Sequence, residues 1–152
     1  MAASIVTFHR KFADDFARLN YAWIEKFFAI EPVDERVLDN PEREIVEHGG
    51  QIFFVLEDDA VIGTVALKYI DEECFELTKM AVDEKFRGKG YGKNLLLTAL
   101  DHARKLGAKR VVLSSNTSLV PAIAMYREAG FVERNDANSC YTRCNIYMEK
   151  SL

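Results

Sequence analysis

The sequence predicts a mixed α/β fold of the α+β kind: a mostly antiparallel sheet of about six or seven strands flanked by about four helices. Three observations carry that reading. Residues 51–57 and 61–69 are rich in β-branched and aromatic side chains and are separated only by Asp58-Asp59-Ala60, the pattern of an antiparallel hairpin. A third such run, residues 75–82, leads directly into a glycine-rich segment at residues 87–93. Beyond that segment the apolar period changes from that of a strand to that of a helix, and helices then follow two successive strands.

Taken in order, residues 5–8 form a short strand. From Asp14 onward Phe16, Leu19, Tyr21, Trp23, Ile24, Phe27 and Phe28 recur at roughly helical spacing, which predicts an amphipathic helix. Pro32 and the Asn40-Pro41 pair interrupt the chain after that helix, and residues 42–47 read as a further short helix ended by Gly49-Gly50. After the hairpin and the third strand, Leu95, Leu96, Ala99, Leu100, Ala103 and Leu106 make a helical stripe over residues 91–106, with Gly107 where a helix-terminating glycine would stand. Residues 110–114 are a short apolar strand, 121–129 a helix stopped by Gly130, and 131–134 and 145–149 two more strands. No repeat or low-complexity linker divides the chain, so residues 1–152 are expected to form one domain, as the length alone suggests.

Composition narrows the function. With 49% apolar and 29% charged residues the chain resembles an ordinary globular protein. Its longest apolar stretches fall far short of the ~18–20 residues a membrane span needs. No basic segment precedes an apolar leader at the N-terminus, so a cytoplasmic location is expected. A net charge of −4 has the wrong sign for a nucleic-acid binder. Cys74, Cys140 and Cys144 are odd in number and read as free thiols. His9, His48 and His102 stand at no metal-ligand spacing, and no metal is expected.

The chemistry is written in Phe86-Arg87-Gly88-Lys89-Gly90-Tyr91-Gly92-Lys93, between a strand and a helix. Backbone N–H groups at a helix N-terminus can close around an anion where glycines permit close approach, so the segment reads as a phosphate cradle. Three glycines in five positions would destabilise the interior of any regular element, which implies a demand for that approach. The spacing is too tight for a Walker loop. Glycines evenly spaced by two do not match the dinucleotide-binding pattern either.

Arg87-x-x-Gly90-x-Gly92 instead resembles the Arg/Gln-x-x-Gly-x-Gly/Ala signature of the GNAT superfamily of acyl-CoA N-acyltransferases. Leu77-Thr78-Lys79-Met80-Ala81-Val82-Asp83 resembles the family's fourth strand, and Asn116 followed by Ala122-x-x-Met125-Tyr126-x-x-x-Gly130-Phe131 its second signature. The resemblance covers residues 75–134 most strongly. It implies acetyl-CoA as cofactor, with the backbone of Arg87, Gly88, Lys89, Gly90, Tyr91, Gly92 and Lys93 binding the pyrophosphate. It also implies that Met80, Ala81 and Val82 pair with the pantetheine arm, that Asn116 reaches that arm, and that Tyr126 lies near the thioester sulfur.

A thioester is already electrophilic, so such an enzyme needs placement, an amine freed of its proton and a proton for the leaving thiolate. Direct transfer without a protein nucleophile is expected. Tyr126 is the expected general acid and Glu76 the candidate base, an ordinary surface glutamate being the alternative. The resemblance implies that the first helix and residues 136–143 wall the acceptor, so that Trp23, Phe27, Phe28 and Tyr141 could line a pocket, an aromatic stripe in the core being the alternative. Residues 136–143 are expected to be a loop that moves when empty. Glu25, Glu31 and Asp34 could attract a cationic amine or simply solvate the surface. The expected acceptor is a primary amine, on a small molecule or a peptide. A non-catalytic CoA-binding sensor on the same fold is the competing reading, and a homodimer is an open alternative to a monomer.

Overall fold

The structure, a computed structural model, describes residues 3–135 and 141–152. Seven strands form one sheet: β1 (Ser4–Thr7), β2 (Gln51–Glu57), β3 (Ala60–Asp71), β4 (Cys74–Val82), β5 (Arg110–Ser115), β6 (Val132–Arg134) and β7 (Ile146–Ser151). Their spatial order is β1-β2-β3-β4-β5-β7-β6. All neighbours are antiparallel except β4 and β5, which are parallel. Asp58 and Asp59 close the β2–β3 hairpin with φ of 52° and 68°, the left-handed pair that a two-residue turn between twisted strands requires.

Helices cover both faces. On one lie α1 (Ala13–Phe27) and α2 (Pro32–Asp39), packing Phe16, Leu19, Ile24 and Leu38 against Ile52, Phe54 and Ala66. On the other lie α3 (Tyr91–Lys105) and α4 (Val120–Glu128), packing Leu95, Ala99, Leu100 and Ile123 against Phe53, Val65, Leu77 and Val111. Burial on both faces explains why β2 and the first half of β3 read as continuous apolar runs instead of alternating ones.

The helix at α2 departs from the expectation that Pro32 interrupts the chain. Proline at the first helical position loses no hydrogen bond, and its fixed φ suits a helix start. Asp34, three residues beyond the cap, accepts a hydrogen bond from the Glu31 N–H at 2.9 Å, the reciprocal contact of a capping box. The short helix expected at 42–47 is a π-helical turn, Glu42–Val46, with Glu47 N–H reaching the Glu42 carbonyl at 2.8 Å. Among the described residues no helix is long and apolar enough to cross a membrane.

Candidate active site

The sheet forks. β4 and β5 are paired only at Cys74–Arg110, Phe75–Val111 and Glu76–Val112. Beyond Glu76 the first follows β3 and the second follows β7. A bulge helps to part them: the β3–β4 register shifts between Thr64 and Ala66, opposite Lys79, whose φ is 55°. An extra residue in one strand increases the local twist and bends it away from its neighbour. The fork holds a cavity of about 560 Å³, reached by Leu77 and Thr78 from one prong and by Leu113 and Ser114 from the other. Along this side β4 has no strand partner after Glu76. Its backbone donors and acceptors are left to pair with an extended ligand, as sheet edges do.

At the end of that edge Asp83 caps a 3₁₀ turn by accepting from the Lys85 N–H at 3.0 Å, and the chain enters the glycine segment. Gly88 and Gly90 have φ of 78° and 86°, and a β-carbon on either would meet nothing within 4 Å. The left-handed backbone favours glycine here, and the protein itself leaves the space beside both residues open. Gly90 caps α3, so the unpaired N–H groups of the first turn face that space with the positive end of the helix dipole behind them. Tyr91 fixes the helix start by donating to Glu57 at 2.5 Å. Arg87 and Lys93 border the cavity at the same place.

Met80, Ala81, Val82, Arg87, Gly88, Gly90, Tyr91, Gly92, Lys93 and Asn116 all line the cavity. Of the residues expected to hold the cofactor, Lys89 alone does not; its ammonium lies over the Phe86 ring at 5.3 Å. Asn116 has its amide engaged: it donates to the Arg143 carbonyl at 2.7 Å and accepts from the Ser118 N–H at 2.8 Å. Ala122, Met125 and Tyr126 share one face of α4, at the i, i+3, i+4 spacing, and all three border the cavity. Tyr126 is 9% exposed and packs edge-on against Phe131. Its hydroxyl has no hydrogen-bond partner among the described residues, yet no buried polar side-chain atom is unsatisfied, so it opens to the cavity. Burial pushes this phenol up to about 12.

Glu76 sits apart from the lining, opposite Lys68 in the register. Burial raises its carboxyl above the usual range, with Lys68 and Lys79 opposing. Trp23, Phe27, Phe28 and Tyr141 also line the cavity. Residues 136–140, including Cys140 and most of the loop expected to move, lie outside the described residues. Cys74 is a buried free thiol, and Cys144 borders the cavity.

Glu31 and Asp34 do not present free charge to an amine. Asp34 is fully buried; it takes both Arg143 guanidinium nitrogens at 2.7 Å and the Lys79 ammonium at 2.6 Å. Glu31 takes Arg143 at 3.1 Å and the Thr142 N–H at 3.0 Å. Burial alone would raise the Asp34 carboxyl, but the hydrogen bonds from Arg143, Lys79 and the Glu31 backbone outweigh it and hold it at about 2. The two cations also lie against the Tyr141 ring, at 4.3 and 4.4 Å from its centroid. Sequence reasoning misses this cluster. The available signal is Lys79 itself, a lysine buried in a largely apolar strand, but Asp34 stands 45 residues from Lys79 and 109 from Arg143, and no local pattern joins them.

An open strand edge running up to a basic, glycine-rich helix N-terminus suits an extended ligand with a phosphate tail, and the buried Tyr126 lines the same cavity. The chain belongs to the GNAT acetyltransferase family, whose model matches residues 13–131. It is 29% identical over 101 residues to the Uncharacterized N-acetyltransferase YvbK of Bacillus subtilis, covering 64% of this chain and 65% of that protein. It is 30% identical over 115 residues to the Uncharacterized N-acetyltransferase YjgM of Escherichia coli, covering 72% and 69%. The chain thus spans about two thirds of the length of these curated relatives. Among solved structures, a GNAT-family acetyltransferase from Staphylococcus aureus superposes with a TM-score of 0.90 at 20% identity, covering 99% of both chains. The PaiA N-acetyltransferase of Thermoplasma acidophilum, solved in complex with coenzyme A, superposes with a TM-score of 0.77 at 21% identity over 100% of both.

Proposed function

We propose that the protein is an acetyl-CoA-dependent N-acetyltransferase that transfers the acetyl group directly to a primary amine. The observation that carries this reading is a single cavity lined together by the strand edge that β4 leaves open, the glycine-rich loop and the buried Tyr126. The PaiA protein's complex with coenzyme A, on the same fold, supports the choice of cofactor.

The residues present fit such a cofactor. The left-handed Gly88 and Gly90 leave an open cradle, and the N–H groups of Tyr91, Gly92 and Lys93 with the Arg87 side chain suit a pyrophosphate. Met80, Ala81 and Val82 offer backbone groups to the amides of a pantetheine arm. Asn116 holds the rim of the cavity by tying the Arg143 backbone to the end of β5. When bound, acetyl-CoA supplies an activated acyl carbon on a good leaving group.

The amine nitrogen forms the new C–N bond as the C–S bond breaks. Tyr126 Oη gives a proton to the departing sulfur; a phenol held near 12 is fully protonated at neutral pH, as a donor must be. Glu76, set back from the cavity wall, accepts the amine proton through water, and its burial-raised carboxyl is a stronger base than an exposed one.

Thermal melts with acetyl-CoA, paired with assays of thiol release from a panel of primary amines, test this reading. At about 100 times its Kd the ligand should contribute about 2.7 kcal/mol, a rise in Tm of roughly 5–10 °C. Amine-dependent thiol release should accompany it. An unchanged Tm would sink the proposal; stabilisation without turnover on any amine would favour a sensor.

A further inference from the structure

We infer that the acceptor is a primary amine borne on an aromatic or alkyl body that carries no second charge. The inference rests on the acetyltransferase reading for which nitrogen reacts, but its evidence lies in the acceptor wall. Phe27, at the C-terminal end of α1, is 49% exposed and lines the cavity, so a large apolar face waits at the mouth. Behind it Trp23 packs edge-on against Phe28 at 6.2 Å between centroids. An apolar group seated there removes aromatic surface from water on both sides.

Charge argues the same way. Among the described residues no carboxylate lines the cavity, and the nearby acids are held by protein cations: Asp34 by Lys79 and Arg143, Glu31 by Arg143, and Glu84 by Lys26. A second ammonium on the substrate would therefore lose hydration without gaining a counter-ion. It could not turn to the rings either. Arg143 and Lys79 already lie against Tyr141, and Arg143 lies 5.9 Å from the Trp23 ring, so cation–π positions there hold positive charge. An acidic substrate fares no better, because the same two cations are already balanced by the two carboxylates of Asp34 and Glu31.

Trp23 is the chain's single tryptophan, so its fluorescence reports the wall without any need for turnover. With CoA present, 2-phenylethylamine, a phenylalanyl dipeptide amide, 1,4-diaminobutane and glutamate are titrated against the intact protein. The aryl compounds should change the Trp23 emission saturably, with a Kd at least tenfold below those of the diamine and glutamate. The free amine binding more tightly assigns a small-molecule acceptor, and the dipeptide a peptide N-terminus. Phe27→Ala should weaken the aryl compounds about fivefold, and Phe27→Glu should narrow the gap to the diamine. Equal or tighter binding of the diamine or glutamate, a flat response to both aryl compounds, or indifference to Phe27→Ala overturns the inference. Loss of acetyl-CoA stabilisation in the melts counts against the acetyltransferase reading alone.

Discussion

Tyr126 is enclosed by protein except where its hydroxyl meets the cavity, and that combination separates its two contributions. The ring packs on Phe131 and belongs to the core, whereas the hydroxyl supports no other protein group. Tyr126→Phe should therefore leave the melting temperature and the acetyl-CoA KM nearly unchanged while kcat falls about 10²–10⁴-fold, the usual contribution of a positioned acid. Steady-state kinetics with any accepted amine decides it, and unaltered kcat would return the residue to a packing role. Asp34 is the opposite case, since its carboxylate has no part in the cavity lining and is wholly engaged in holding two buried cations. Asp34→Asn should cost roughly 3–5 kcal/mol because it strands buried charge, and Tm should drop by roughly 10 °C or more.

Among the elements, the loop between β4 and α3 is the one whose sequence and conformation agree most closely. Gly90→Asp meets no steric obstacle inside the protein, but it demands a strained left-handed backbone and places a negative charge where a phosphate is to sit. The variant should fold, with Tm reduced by a few degrees, and show no stabilisation by acetyl-CoA; a wild-type response in the melt would remove the cradle assignment. The loop is legible because glycine spacing is a local signal, as are the β2–β3 hairpin and the helical stripe of α3. α2 is hidden because Pro32 is both a helix breaker and a good first residue of a helix, and only Asp34 reaching back to Glu31 selects between them. The fork between β4 and β5 is hidden for a different reason. Whether two strands stay paired along their length depends on the twist at Lys79 and on β7 drawing β5 aside, and neither is encoded within either strand. Trp23 and Phe27 are assigned to an acceptor wall only through the family resemblance, since an aromatic stripe at helical spacing more often lies in the core.

For the molecule as a whole, the cluster of Glu31, Asp34, Lys79 and Arg143 joins α2, β4 and the approach to β7. It gives stability a dependence on pH. The Asp34 carboxyl lies at about 2 in the folded chain against an ordinary 3.8. Its stabilisation, about 2 kcal/mol, is thus fully present above pH 3.8 and is lost as pH falls through about 2. Melts of the wild type and Asp34→Asn at pH 7, 4 and 2.5 should show the gap in Tm shrinking across the last two; a constant gap would assign the stability to packing. The strand order carries a consequence for how the chain is made. β1 to β5 can assemble in sequence as they leave the ribosome, but β7 must enter between β5 and a β6 synthesised before it, and Arg143 reaches Asp34 across 109 residues. Until those last residues arrive, the edge of β5 stays unpaired and Asp34 lacks its guanidinium, so a nascent chain halted before Arg143 exposes the strand edge that most invites pairing with a neighbour.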